Sequence, residues 1–217
     1  MSGFGDKSLN ISFEENIFNR IISHVIKCSN EMKNTCIATG NGLFNHENKI
    51  TNRLVEKHLN VDQNDFLFDS QAPENYNPDT DEYKGFADIR VRNKNRFNNS
   101  KDYYIIECKR IDGESTLNKK YITEGVVRFV GNPPKYLSPN KKNIMFGYVV
   151  KAIDVPKNTI KIEKFQKKLL AEIITGNFLL IVNHCMEYYV YSCQYHSGVD
   201  SIELRHLFYN FSDAMRN

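Results

Sequence analysis

The stretch Tyr103-Tyr104-Ile105-Ile106-Glu107-Cys108-Lys109-Arg110 reads as a β-strand that ends in charge. Aromatic and β-branched residues suit a pleated, half-buried surface. Side chains alternate across a strand, so Tyr103, Ile105, Glu107 and Lys109 share one face. A carboxylate and an ammonium therefore project together from the end of an apolar run. Burying charge is costly unless it is paired or bound to a metal. Glu-x-Lys at this place calls for an ion pair or for chemistry, and the flanking elements decide between them.

Just upstream, Phe86-Ala87-Asp88-Ile89-Arg90-Val91 reads as a second strand, with Asp88 in its first half after Gly85. The polar, Asn-rich segment from Arg92 to Lys101 is then a hairpin loop. Arg90, Arg92, Lys94, Arg96 and Lys101 make this region positive, which suits phosphate contacts and equally suits a solvated hairpin. Residues 60–85 read as an acidic loop with Phe66-Leu67-Phe68 as a short strand, punctuated by Ala72-Pro73 and Asn77-Pro78. Asp79, Asp81 and Glu82 belong to that solvated loop. Downstream, Leu117, Tyr121, Ile122, Val126, Phe129 and Val130 recur at helical spacing from Ser115 to Val130. Gly125 shares their face, and Gly131 with Asn132-Pro133-Pro134 stops the helix. Glu124 and Arg128 are one turn apart and positioned to pair. Lys119, Lys120 and Arg128 are further candidates to face a substrate. Ile144 to Val150 is a near-continuous apolar run, as expected of a strand covered on both faces.

Further out, Ser12 and Glu15 form a capping box for an amphipathic helix over 12–28. A second helix spans about 46–59, with Ile50, Leu54, Val55 and Leu59 as its apolar stripe. At about 100° per residue, Glu47 falls within that stripe and Glu56 opposite it. Glu47 is then either a first-turn residue favoured by the helix dipole or an acid aimed inward. A helix over about 158–175 ends at Gly176, and strands at 178–182, 188–195 and 202–211 close the chain. The order α-α-β-β-β-α-β-α-β-β-β predicts one α/β domain over residues 1–217. A mixed central sheet flanked by helices forms a core over about 46–150. The helix at 12–28 and the helix plus strands at 158–211 are elaborations of it.

The chain has 217 residues, 41% hydrophobic and 25% charged, with net charge +3. That balance permits a nucleic-acid partner without demanding one. No apolar run is long enough to span a bilayer and no signal-peptide pattern opens the chain. Five scattered cysteines point to reduced thiols and a cytoplasmic protein. His184-Cys185 and Cys193 with His196 offer N and S atoms for zinc but lack the usual paired-cysteine spacing, so core cysteines and surface histidines are expected.

Asp88 and Glu107 stand on successive strands about 4.8 Å apart, and Glu47 on the preceding helix supplies a third carboxylate. Two carboxylates about 4 Å apart repel by about 4 kcal/mol at an effective dielectric near 20. Either their pKa values rise or a divalent cation binds, and hard oxygens select Mg²⁺ or Mn²⁺.

This pattern resembles the PD-(D/E)xK nuclease superfamily, the restriction-endonuclease-like fold. The resemblance rests on Asp88 in Gly85-Phe86-Ala87-Asp88, on Glu107-Cys108-Lys109, and on Glu47 as the accessory acid. Ala87 stands where the family's name has proline. The elements over 46–150 are similar to the family's αβββαβ core. Tyr121 to Phe129 is similar to a segment of bacterial defence-associated proteins. The resemblance implies that Asp88, Glu107 and the Cys108 carbonyl bind Mg²⁺ or Mn²⁺, that Lys109 positions or deprotonates the attacking water and balances the developing phosphorane charge, and that Glu47 holds the metal's water shell or a second metal. It implies endonucleolytic hydrolysis of DNA, in restriction or antiviral defence. Alternatives are an RNA-directed nuclease of the same fold and a non-catalytic binding module with a vestigial site. A homodimer or a partner subunit of a defence complex would supply whatever the short chain lacks.

Overall fold

The computed structural model describes residues 7–61, 65–94, 102–184, 186–197 and 200–216. Helix α1 (Lys7–Thr39) leads to α2 (Glu47–Leu54), which continues as a wider π-helical turn over Val55–Leu59. Strands β1 (Phe66–Asn77), β2 (Glu82–Asn93) and β3 (Tyr103–Ile111) follow. A helical crossover comes next, built from α3 (Ser115–Lys120), a π-helical segment (Tyr121–Val126) and α4 (Val127–Val130). Then come β4 (Lys142–Val149), α5 (Val155–Leu169), β5 (Ile174–Thr175), β6 (Leu179–His184), β7 (Tyr188–Ser197) and β8 (Asp200–Asn210). The strands form one mixed sheet in the order β1-β2-β3-β4-β8-β7-β5, with β6 also paired to β7. β1, β2 and β3 are antiparallel neighbours, whereas β3, β4 and β8 run parallel. The chain is thus an α/β fold with a mixed open sheet flanked by helices, and among the described residues no helix is long and apolar enough to cross a membrane.

Each sheet face has its own core, set by the period-2 alternation of the strands. On one face Tyr104, Ile106, Cys108, Phe146 and Tyr148 meet α1 and α2. On the other Tyr103, Ile105, Met145 and Val149 meet the crossover helices and α5. Helix α1 extends beyond the predicted 12–28 in both directions. Cys28, Met32 and Cys36 continue its stripe at four-residue spacing and are buried, so small sulfur-bearing residues carry a face that Ile and Phe begin. Because α1 is already helical before Ser12, that residue is not its N-cap.

Two expectations are corrected. Residues 66–77 form a full strand instead of a loop, and Pro73 lies within it. β1 is the sheet edge, where a missing N–H costs no ladder bond. Helix α5 starts earlier and ends earlier than 158–175. Asp154 caps it by accepting from the Lys157 N–H, with proline in the first turn. Its C-cap is Leu170, and Gly176 N–H instead donates to Gln194 O in the sheet.

The sheet splits beside the Glu107–Lys109 strand. β2 pairs with β3 only from Arg92↔Tyr103 to Ile89↔Ile106, whereas its pairing with β1 runs on to Glu82. Residues 82–88 and their β1 partners therefore leave as a two-stranded arm. Ala87 and Ile89 have the same parity yet lie in opposite cores, so the strand turns over at Asp88. Opposite that turn, the register between Ser70↔Ile89 and Ala72↔Ala87 skips Gln71, whose φ is +50°. Left-handed backbone at a non-glycine residue bends the strand as a bulge does.

Two buried polar arrangements hold this framework. In the arm, Glu74 is fully buried and accepts from Arg90 at 2.8 Å and Tyr103 Oη at 2.8 Å. Under the crossover, His206 is enclosed by Tyr121 Oη at Nδ1 (2.8 Å) and Tyr195 Oη at Nε2 (3.0 Å). Tyr195 donates to Gln166 Oε1, so Nε2 carries the proton and Nδ1 accepts from Tyr121. Burial lowers the His206 pKa from 6.5 to about 3.

Glu74→Ala leaves the Arg90 guanidinium largely buried without its carboxylate. Urea melts are expected to show a loss of about 3 kcal/mol. Below pH 6.5 the unfolded chain protonates His206 while the folded chain does not, so stability drains as pH falls toward 3. Relative to His206→Gln, the wild type is expected to lose roughly 2.5 kcal/mol between pH 7 and pH 4.5, read from urea melts across that range.

Candidate active site

Where the arm leaves the sheet, four charged side chains meet. Lys109 and Glu107 project from the same face of β3, as the alternation predicts, with Nζ to Oε1 at 2.8 Å. Continuing the antiparallel register past Ile89↔Ile106 sets Asp88 across from Glu107. The next ladder donor, Cys108 N–H, bonds to the Asp88 carboxylate at 2.8 Å in place of a backbone carbonyl. That bond fixes Asp88 at the split, while Gln71 reaches its other oxygen at 3.5 Å. Glu47 begins α2 and is the first-turn acid of that helix. It also turns inward, accepting from Lys109 Nζ at 2.9 Å and from Arg110 N–H at 3.2 Å. Glu47 is thus a first-turn residue whose carboxylate is aimed inward.

Lys109 Nζ is surrounded by oxygen: Glu107 and the Cys108 carbonyl at 2.8 Å, Glu47 at 2.9 Å and Asp88 at 3.8 Å. Its side chain is 7% exposed and that of Glu107 is 0% exposed. Burial pulls the lysine pKa down, but Glu107, Asp88 and Glu47 more than offset this and hold it above the ordinary value. Lys109 in this arrangement is therefore held as a cation that donates hydrogen bonds to these oxygens. Burial pushes Glu107 up to about 7, reinforced by the Asp88 charge and opposed by Lys109 and Arg128.

Two residues complete the hold on Glu107. Arg128 Nε lies 3.0 Å from Oε1, and Tyr136 Oη is 2.6 Å from Oε2. The two touch each other at 2.8 Å, Arg128 donates to Phe86 O at 3.3 Å, and Tyr136 Oη lies 2.8 Å from that carbonyl. Burial raises the Tyr136 pKa, as do Glu107 and its hydrogen bond, so the phenol keeps its proton for the carboxylate. Tyr136 was not legible as a site residue, because it sits in the irregular loop after Pro133-Pro134. Arg128, a candidate phosphate contact by sequence, instead grips Glu107, and its expected partner Glu124 offers only a backbone carbonyl at 2.7 Å.

The other basic candidates separate into two groups. Lys120 lines a cleft of about 220 Å³ with His46, Glu47, Lys109, Arg110 and Glu124. Arg90 and Arg92 carry acidic partners: Arg90 pairs with the buried Glu74, and Arg92 with Asp69 at 2.8 Å. Their strand positions turn them onto acidic partners of β1. Lys119 stands over the Phe165 ring of α5, away from the carboxylates, and Lys94 follows the end of β2. Arg96 and Lys101 lie outside the described residues, as does Cys185. Cys193 is buried against Gln166 and His184 stacks on Tyr188. The Cys108 thiol faces the opposite side of the sheet from Glu107 and Lys109, where burial raises its pKa.

Among the described residues no three His, Cys, Asp or Glu side chains stand ready around an ion. Glu47, Asp88 and Glu107 enclose an ammonium instead. The donor set nevertheless fits a hard divalent cation, since four oxygens already converge on one positive centre. Asp88, Glu107 and the Cys108 carbonyl would hold Mg²⁺ or Mn²⁺ once Lys109 moved aside. The chain matches no family model, no curated protein and no solved structure.

Lys109→Met leaves three carboxylates facing one another without their cation. A loss of about 3 kcal/mol at neutral pH is expected in urea melts. Added Mg²⁺ is expected to recover more stability in this variant than it adds to the wild type, because the variant offers the same oxygens with no ammonium to displace. Equal responses of the two proteins would contradict the fit.

Proposed function

We propose that this protein is a Mg²⁺- or Mn²⁺-dependent nuclease of the PD-(D/E)xK, restriction-endonuclease-like type that hydrolyses phosphodiester bonds in DNA. The observation that carries this reading is the convergence of Asp88, Glu107, the Cys108 carbonyl and Lys109 where β2 and β3 part. The run from α2 to β4 has the α-β-β-β-α-β order of that core, with β3 and β4 parallel, which supports the finer assignment. Restriction or antiviral defence is the setting this reading suggests.

The residues divide the work by their geometry. Asp88 and Glu107 supply negative oxygens at the split. When bound, a divalent ion supplies polarisation of the phosphate and activation of water. Lys109, held cationic, favours the negative charge that develops on a phosphate under attack. Glu47 retains Lys109 on the cleft side. Arg128 and Tyr136 fix both oxygens of Glu107, so its orientation does not depend on the metal. Lys120 and Arg110 border the cleft through which a phosphate approaches.

A second reading is favoured by one observation: the ammonium fills the centre of the carboxylates and Glu107 already has three partners. A site locked in this way would serve a non-catalytic binding module.

Plasmid and linear DNA with Mg²⁺, with and without chelator, separate the two. The nuclease reading expects chelator-sensitive cutting that falls at least about 100-fold in Asp88→Asn and Lys109→Ala. Variants that cut as well as the wild type would refute the site assignment. An absence of cutting by the wild type on DNA and RNA alike would favour the binding module.

A further inference from the structure

The two-stranded arm that leaves the sheet at Asp88 carries three large aromatic side chains in solvent. Tyr76, Tyr83 and Phe86 are 49%, 48% and 50% exposed. Their rings form a row, with centroids 5.3 Å apart for Tyr76–Tyr83 and 6.3 Å for Tyr83–Phe86. Phe86 is two residues from Asp88, and its carbonyl accepts from Arg128 and lies 2.8 Å from the hydroxyl of Tyr136, the two groups that hold Glu107. The row therefore begins at the candidate active site and runs outward along the arm.

We propose that this row is a stacking platform for the unpaired bases of single-stranded DNA next to the scissile phosphate. The proposal rests on the nuclease reading for its choice of DNA. Exposed rings in series are costly to leave in water, and every base offers a π-face to them whatever its sequence. Charge supports the same occupant on the inner side of the arm. Lys84 and Lys135 are exposed there, Lys135 packing beside Gly85. At the far tip the sign reverses: Asp79, Asp81 and Glu82 cluster beyond Tyr83, and Asp81 accepts the Tyr76 hydroxyl. Phosphates are thus favoured near Phe86 and repelled at the tip, which limits the platform to about one base per ring. The arm's bend at Gln71 and the Asn75 Nδ2 bond to Pro134 O at 3.2 Å keep this surface beside the 131–136 loop.

Binding of a fluorescently labelled oligo(dT), followed by anisotropy in EDTA, tests this without cleavage. Tyr83→Ala and Phe86→Ala are each expected to weaken binding about 5-fold or more, with unchanged circular dichroism and melting temperature. The chain has no tryptophan, so Tyr83→Trp supplies a single indole whose emission should be quenched by the oligonucleotide and whose affinity should match the wild type. Alanine variants that bind within 2-fold of the wild type, or an unquenched indole, would overturn the platform. Tighter binding of oligo(U) than of oligo(dT) would overturn the assignment to DNA. Because the readout needs no metal, loss of the platform is distinguishable from inactivity of the Asp88–Glu107–Lys109 site.

Discussion

The buried ammonium of Lys109 is the constraint on which the surroundings depend. A strand that ends Glu-Cys-Lys cannot be enclosed on the crossover side unless each charge is answered. Glu107 is answered by Lys109, Arg128 and Tyr136, and Lys109 by Glu107, Glu47 and the Cys108 carbonyl. Those partners come from α2, from the crossover and from the loop that follows it. One charge pair thereby fixes where α2 starts, which face of the crossover turns inward, and why Tyr136 is drawn out of an irregular loop. Gly125 belongs to the same set, since a Cβ there would meet the Met145 methyl at 2.6 Å and lie 3.4 Å from Lys109 Cγ.

The second constraint is the parting of β2 from β3. Hydrogen bonding along a sheet ordinarily satisfies every backbone group. Past Ile106 the β2 side of β3 has lost its neighbour, and the Asp88 side chain takes the Cys108 N–H that a strand would have taken. The carboxylate proposed for chemistry therefore also closes the ladder. Substitution at Asp88 by a residue that keeps a carbonyl oxygen, such as asparagine, preserves that structural role while removing the charge.

The central strand and its charge pair were legible from the sequence because alternation places Glu107 and Lys109 on one face whatever the rest does. The long helices were legible from Ile and Phe at helical spacing, although Cys28, Met32 and Cys36 carried the stripe of α1 further than those residues alone suggest. The edge strand β1 was not, because Pro73 and the left-handed Gln71 and Asn75 imitate loop signals that only an edge tolerates. Nor was the fate of Arg90 and Arg92, since the partners Glu74 and Asp69 come from a strand hidden by the same signals. Tyr136 had no local pattern at all; its role exists only through tertiary contact.

The central claim is that the oxygens around Lys109 form a cation site that a divalent ion takes over when the ammonium moves aside. Anomalous scattering from crystals soaked in Mn²⁺ tests it most directly. A peak between Asp88 and Glu107 within reach of the Cys108 carbonyl, with Lys109 Nζ displaced from its present place, is the result predicted here. No peak at saturating Mn²⁺, with Lys109 still bonded to Glu47 and Glu107, would contradict it.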